Sequence, residues 1–228
     1  MYTHELHDWD LPIPEARALQ ERLATQVSET PPREFHPRYI AGADMSHRRG
    51  SPWLYGAVVV WDRATDAVVE QTVAKARARF PYVPGFLSFR EGPVVLEAFR
   101  KLKRNPDAAL FDAQGRAHPR ALGLACHMGL WLDLPSVGCA KSRLCGEHAE
   151  PGKEPGRCTA LRFNGCRIGT VLRTRRASRP IYISVGHHID LPTAEDLVQS
   201  TLRGYRLPEP TRLAHSAVNV YRRSCENH

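Results

Sequence analysis

The sequence has no long hydrophobic run. Its longest apolar stretch is GAVVVW at 56–61, far shorter than the roughly 20 residues that a membrane-spanning helix needs. The first residues, MYTHELHDWDLP, are acidic and polar, unlike a signal peptide. We therefore expect a cytoplasmic protein with no membrane partner.

Internal repeats, low-complexity stretches and interdomain linkers are also missing. A chain of 228 residues with 42% apolar residues can bury a core as one domain. We expect a single domain over 1–228, with a helix and a proline-rich lead-in at 1–38 and a C-terminal tail at 216–228. We expect a monomer.

Acidic residues are the scarcer charged type, at 24 against 32 Lys and Arg, so the net charge is +8. Such an excess suits a polyanionic partner, because contacts from Lys and Arg to phosphates dominate nucleic-acid affinity. An arginine-rich proteome would produce the same excess. Charge is therefore compatible with a nucleic-acid partner but does not require one.

Cysteines are few, and their spacing matches no common zinc pattern. The segment CGEH at 145–148 could hold zinc together with Cys158 and Cys166, but these intervals are unlike those of known zinc sites. Reduced thiols are the simpler interpretation for a chain of this length without a signal peptide.

The order of elements predicts an α/β fold. RYIAGADMS, YGAVVVWD and AVVEQTVAKARA are typical of three consecutive strands joined by short turns, which predicts an antiparallel meander. Helical and strand-like segments then alternate, and the last predicted helix is capped by Thr193. We expect a mixed sheet with helices on its faces.

Two aspartates follow apolar strands, Asp44 in AGADMS and Asp112 in LFDAQG. Each could simply bond a turn. If the two strands are neighbours, both carboxylates lie at one edge of the sheet, where they repel unless a cation lies between them. Carboxylate oxygens suit Mg²⁺ or Mn²⁺.

Glu91 is the third candidate acid. It begins a predicted helix, EGPVVLEAFRKLK, with Pro93 in the first turn, and it could merely complement the helix dipole. However, it follows a stiff, proline-framed loop in FPYVPGFLSFRE. Three acids at one sheet edge of a basic protein predict a metal-dependent phosphodiesterase, in which the metal polarises the phosphoryl group.

Basic side chains accompany these acids. Lys141 ends the predicted strand in SVGCAKSRL at the same edge, where it could stabilise negative charge. His118 follows Asp112 closely, His127 lies among apolar helix neighbours and is expected to be structural, and His215 is too distant in sequence to place.

The motifs together resemble the endonuclease V family, the deoxyinosine 3′ endonucleases. The resemblance runs from about residue 39 to 215 and is carried by YIAGADMS, FPYVPGFLSFRE, FDAQGRAHPRALGLACHMGL, SVGCAKSRL, SVGHHIDL and GYRLPEPTRLAH. It implies a ribonuclease H-like fold. It also implies a Mg²⁺-dependent DNA-repair endonuclease that cuts the second phosphodiester bond 3′ to deoxyinosine and leaves 5′-phosphate and 3′-hydroxyl ends.

The resemblance assigns roles to residues at the acidic edge. Asp44 and Asp112 match the acids that hold Mg²⁺, for which Mn²⁺ can substitute, and Glu91 matches the third acid. Lys141 matches a catalytic lysine. His215 matches a histidine close to the metal that acts as a base or positions water.

The resemblance also assigns the parts that recognise the lesion. The family's wedge, which enters the duplex beside a base turned out of the stack, corresponds to Pro81, Tyr82, Val83 and Pro84. The base pocket corresponds to Gly85, Leu87, Ala113, Gln114, Gly115, His118 and Leu124. Ala113 stands where the family usually has glycine, so it could tighten the pocket or shift the base preference.

Three alternatives remain open. The same chemistry could act on RNA that contains inosine, because 2′-hydroxyl contacts decide between the nucleic acids. The chain could also bind lesions in double- or single-stranded DNA without cutting. The intact acids argue against this second alternative, because clustered carboxylates repel phosphate unless a metal is bound. The third alternative, a generic repair or Holliday-junction nuclease on the same fold, is disfavoured by the wedge.

Overall fold

A computed structural model of the chain, which describes residues 1–227, contains five helices and eight strands within that range. The helices are α1 (Ile13–Ala24), α2 (Leu87–Arg100), α3 (Leu124–Leu132), α4 (Leu191–Ser200) and α5 (Glu209–Glu226). The strands are β1 (Tyr39–His47), β2 (Trp53–Asp62), β3 (Ala67–Arg77), β4 (Ala108–Phe111), β5 (Ser136–Ala140), β6 (Cys158–Phe163), β7 (Cys166–Leu172) and β8 (Ile181–His187).

All eight strands form one mixed sheet in the order β3-β2-β1-β4-β5-β8-β7-β6. Strands β1 to β3 are the predicted antiparallel meander. Strand β4 pairs parallel with β1, and β5 pairs parallel with β4. Strands β8, β7 and β6 continue antiparallel. The predicted α/β fold with a mixed sheet flanked by helices is confirmed.

The central strands of the sheet are buried on both faces by helices. In β2, Leu54, Val58 and Val60 pack in the core beneath α2, whereas Tyr55 and the alternate residues Ala57 and Val59 pack beneath α5. Successive strand side chains point to opposite faces. A strand covered on both sides is therefore apolar throughout, as YGAVVVW is.

Helix α2 begins earlier than predicted. It starts at Leu87, so Glu91 lies inside the helix, and Pro93 is an interior residue rather than a first-turn one. Burial of Ser88 and Phe89 accompanies this extra turn. The prediction relied on the tolerance of proline near helix starts, but packing against the core overrode that local preference.

Three further differences concern the cap of α4, the C-terminal tail and β6. The cap of α4 is Asp190, whose carboxylate accepts the Thr193 N–H at 2.8 Å. Most of the predicted tail, 216–228, lies in α5, while His228 is outside the described residues. Strand β6 was not predicted, although the turn Asn164-Gly165, with both φ angles positive, is a typical hairpin signal.

Among the described residues, no helix is both long enough and apolar enough to cross a bilayer.

Candidate active site

The two aspartates meet because their strands are parallel neighbours in register. Ala43 of β1 pairs with Phe111 of β4, so Asp44, which follows Ala43 in β1, and Asp112, directly after β4, lie at the same position along the sheet. Strand β4 ends at Phe111, whereas β1 continues to His47 along β2. The predicted proximity of the two carboxylates is confirmed.

Two basic side chains complete this edge. Lys141, directly after β5, forms an ion pair with Asp112. His215 on α5 contacts Asp44, with 2.7 Å between Nδ1 and Oδ2. Ligand atoms of Asp44, Asp112 and His215 all lie within 4.8 Å of one another, so the two carboxylates are close enough to share one ion beside the histidine.

Burial raises the pKa values of two of the acids, Asp44 and Glu91. Burial and the nearby Asp112 carboxylate raise the pKa of Asp44, and the hydrogen bond with His215 only partly opposes this rise. Burial, followed by the Asp44 carboxylate, raises the pKa of Glu91 to about 8. Glu91 is therefore close enough to the pair to respond to its charge.

This set of donors fits a hard divalent cation. Carboxylate oxygens are the ligands that Mg²⁺ and Mn²⁺ prefer, and a cation between Asp44 and Asp112 would offset the repulsion that raises the pKa of Asp44.

Sequence reasoning missed the residues that hold His215 in place. Asn219, one helical turn further along α5, donates from Nδ2 to the His215 carbonyl at 2.8 Å and to Nε2 at 3.2 Å. The hydroxyl of Ser46 donates to Asn219 Oδ1. With Nε2 as an acceptor, Nδ1 carries the proton that faces Asp44. Recognising 216–226 as a helix would have revealed the spacing of four residues.

A cavity of about 390 Å³ adjoins the acids and includes Asp112 and Lys141 in its wall. Six of the residues predicted for the base pocket line it: Gly85, Leu87, Ala113, Gln114, His118 and Leu124. Gly115 instead packs against β8, where an added Cβ would lie 2.0 Å from the Val185 carbonyl oxygen. Close packing therefore accounts for this glycine.

The carbonyl of Gly85 anchors the loop that precedes α2. It accepts hydrogen bonds from Gln20 Nε2 at 3.0 Å, His118 Nε2 at 3.0 Å and Arg120 Nη2 at 2.7 Å. Gly85 has a φ of 81°, a conformation that favours glycine. Gln20 and Arg120 were not predicted, because their contacts join segments far apart in sequence.

The proline-framed tip of the loop, residues 81–84, directly precedes Gly85. Tyr82 is 69% exposed and lies at the cavity wall with Val83 and Pro84, while Pro81 is exposed beside it. Below the tip, the rings of Phe80, Phe86 and Phe89 pack together. The tip is thus an exposed aromatic side chain on a packed aromatic base.

The zinc hypothesis for 145–148 finds no support among the described residues, since these side chains do not converge with Cys158 and Cys166. A second cluster joins Asp133, His187 and His188 at the opposite end of β5. There, His187 Nδ1 accepts the Ser28 N–H at 3.2 Å, so neutral His187 carries its proton on Nε2 and has no lone pair for a metal. Asp133 and His188 form a hydrogen bond of 2.9 Å, which links α3 to β8.

His127 is fully buried, as its apolar neighbours predict. Its Nδ1 lies 2.9 Å from Ser88 Oγ, and its Nε2 lies 2.6 Å from His7 Nε2. Burial lowers its pKa well below the usual value, so the ring is neutral.

Comparisons with known proteins show which family the chain resembles. The family model of endonuclease V matches residues 21–216. Endonuclease V of Myxococcus xanthus is 45% identical over 220 residues, which cover 96% of this chain and 94% of the relative. Endonuclease V of Dehalococcoides mccartyi strain CBDB1 is 47% identical over 214 residues, covering 94% and 96%.

The crystal structure of endonuclease V from Bacillus subtilis has the same fold. It matches with a TM-score of 0.93 at 33% identity, and the match covers 100% of both chains. The chain therefore belongs to the endonuclease V family, which consists of nucleases that act on phosphodiester bonds.

Proposed function

We propose that this chain is a Mg²⁺-dependent DNA-repair endonuclease that recognises deoxyinosine and cuts the second phosphodiester bond on its 3′ side. Cleavage leaves 5′-phosphate and 3′-hydroxyl ends. The observation that carries the proposal is the continuity between a two-aspartate cation site and a cavity large enough for a base, since Asp112 and Lys141 belong to both.

Each residue at the acidic edge has a distinct role. Asp44 and Asp112 hold the cation, which would polarise the phosphoryl group and lower the pKa of an attacking water. Glu91 adds a third carboxyl group from α2. Lys141 supplies positive charge where negative charge develops as the bond breaks. His215, held by Asn219, orients groups beside Asp44.

Recognition of the lesion depends on the tip and the cavity. Tyr82, stiffened by Pro81 and Pro84, enters the duplex and replaces the stacking lost when the modified base turns out, an effect of ~1–3 kcal/mol per base. The base then occupies the cavity. The methyl group of Ala113 at its wall tightens the pocket relative to glycine.

A nicking assay tests the proposal. End-labelled duplexes with one deoxyinosine, matched undamaged duplexes and matched RNA duplexes with inosine are incubated with Mg²⁺ or with EDTA. We expect one nick at the second bond 3′ to deoxyinosine, only with Mg²⁺. Stronger cutting of the RNA would instead assign the activity to inosine in RNA. Binding without a nick at any protein concentration would contradict the proposal and favour a lesion-binding protein.

The cysteines and the location of the site bear on the compartment and the oligomeric state of the enzyme. All six cysteines are free thiols, which suits a reducing compartment, and we place the protein in the cytoplasm. We propose that it acts as a monomer on DNA, since the cation site and the cavity both lie within one chain.

A further inference from the structure

A chain of hydrogen bonds runs from the N-terminal segment to the cavity. It connects the Asp8 carbonyl, His7, His127 and Ser88 through contacts of 2.7, 2.6 and 2.9 Å. Ser88 is buried and lines the cavity. The proposed chemistry at the acidic edge makes no use of these two histidines.

The first histidine sets the direction of the chain. A carbonyl oxygen only accepts, so His7 Nδ1 must be the N–H that donates to the Asp8 carbonyl. Burial lowers the pKa of His7, and the neutral ring therefore has a lone pair on Nε2. The indole N–H of Trp131 donates to this same Nε2 at 3.2 Å, which independently requires a lone pair there.

His127 in turn fixes the direction in which the Ser88 hydroxyl donates. Because His7 Nε2 is an acceptor, His127 Nε2 must carry the proton between the rings. The neutral His127 ring is then an acceptor at Nδ1, so the Ser88 hydroxyl donates its only proton to that nitrogen. The lone pairs of Ser88 Oγ remain available on the cavity side.

A second acceptor lies in the same wall. Gln114 Nε2 donates to the Ser142 carbonyl at 2.7 Å, and its Oε1 is buried without a hydrogen-bond partner among the described residues. Both side chains line the cavity. A buried acceptor without a partner is costly, so the cavity favours a ligand with an N–H donor.

We infer that Ser88 reads the base by accepting its ring N–H, and that His7 and His127 are positioning residues that keep the serine an acceptor. This inference rests on the proposed function, since it takes the cavity to hold the base. Hypoxanthine carries a proton on N1, whereas adenine has a lone pair there that would face the lone pairs of Ser88. The hydrogen-bond chain that ends at Ser88 therefore disfavours adenine electrostatically.

The first test removes the hydroxyl group from Ser88 and, in a separate comparison, the N1 proton from the base. Cleavage is measured on duplexes with hypoxanthine or 6-methoxypurine, a base that keeps the oxygen at position 6 but has no N1–H. Ser88→Ala should lower kcat/KM on hypoxanthine by ~10-fold, the size of one neutral hydrogen bond, and change kcat/KM on 6-methoxypurine little. Ser88→Thr, which keeps the hydroxyl, should restore the preference. Equal losses on both bases would overturn the inference.

The second test removes the residue that fixes the direction of this hydrogen-bond chain, without changing a residue of the cavity wall. In His7→Phe, the His127 ring is free to adopt the other tautomer, donate to Ser88 Oγ and let the serine donate into the pocket. We expect the preference for hypoxanthine over 6-methoxypurine to fall severalfold. The control is His4→Phe, which changes a histidine of the same segment that makes no hydrogen bond with His127. A preference that His7→Phe leaves unchanged would contradict the positioning role.

A measurement without cleavage separates this inference from the proposed function. Long-range ¹H–¹⁵N correlation spectra of the wild type should show the proton of His7 on Nδ1 and that of His127 on Nε2. The opposite tautomers overturn the inference whether or not the chain cuts. If wild-type protein leaves deoxyinosine DNA intact, the proposed function fails. Equilibrium binding of Ser88→Ala to the hypoxanthine and 6-methoxypurine duplexes then replaces the cleavage assay. Equal losses of affinity for both duplexes would overturn the inference.

Discussion

Asp112 experiences two opposing electrostatic influences. The Lys141 ammonium contacts it directly, while the Asp44 carboxylate lies beside it across the parallel pair of strands. Because one ammonium group faces two carboxylates, a further cation would offset their mutual repulsion. In the proposed function, the carboxylate of Asp112 would serve both the cation and Lys141.

Asp112→Asn should lower cleavage by more than ~100-fold, because it removes a charged ligand from the site on which metal-assisted hydrolysis depends. Lesion binding should persist or strengthen, since one negative charge near the phosphate is lost. Nicking and gel-shift assays measure the two effects. Asp66→Asn, which changes an exposed aspartate paired with Arg203, is the control, and normal nicking by Asp112→Asn would remove Asp112 from the metal site.

Tyr82→Ala should reduce the discrimination between deoxyinosine and undamaged DNA by up to ~1–3 kcal/mol, the contribution of one base-stacking ring. Binding of the metal should be unaffected. Competition binding with both duplexes measures the ratio. Tyr205→Ala alters another exposed tyrosine and should leave the ratio unchanged, whereas an unchanged ratio in Tyr82→Ala would argue against the wedge.

Helix α5 lies so close to β1 that only glycine fits at their contact. A Cβ on Gly42 would stand 2.0 Å from the carbonyl oxygen of Pro210. The same helix carries His215 and buries Ala214, Ala217 and Val218 against β2. The position of His215 therefore depends on how closely α5 approaches β1.

Gly42→Ala should destabilise the fold by ~1–3 kcal/mol through overpacking, and it should lower cleavage further by displacing α5 from Asp44. Urea unfolding and nicking on the folded fraction measure these effects. Gly152→Ala is the matched control, because an added Cβ there would meet only the flexible side chain of Arg157. If Gly42→Ala keeps the stability and activity of the wild type, the contact between α5 and β1 relaxes without a loss of folding free energy.

Local patterns predicted most elements but not all of their limits. Strands β1 to β3 were recognisable because alternation and short turns are properties of neighbouring residues. The first turn of α2 was missed because burial of Phe89, rather than local preference, decides it. Helix α5 was missed because its apolar residues cover only one narrow face.

Metal binding should stabilise the whole molecule, because the native state gathers carboxylates that are far apart in the unfolded chain. At a free Mg²⁺ or Mn²⁺ concentration of 100 times Kd, the expected gain is about 2.7 kcal/mol. Thermal unfolding with metal or with EDTA measures it. Asp112→Asn should lose most of the gain, and an equal rise in Tm for both proteins would place the stabilising ion elsewhere.

The sequence by itself determined the strand order of the meander, the acids at strand ends and the stiff aromatic tip, because each depends on residues close together along the chain. Only the tertiary structure decided that His215 reaches Asp44, that three side chains converge on the Gly85 carbonyl, and that two histidines orient Ser88. These contacts join segments up to 171 residues apart. Their geometry arises when helices and strands pack, and no local pattern records it.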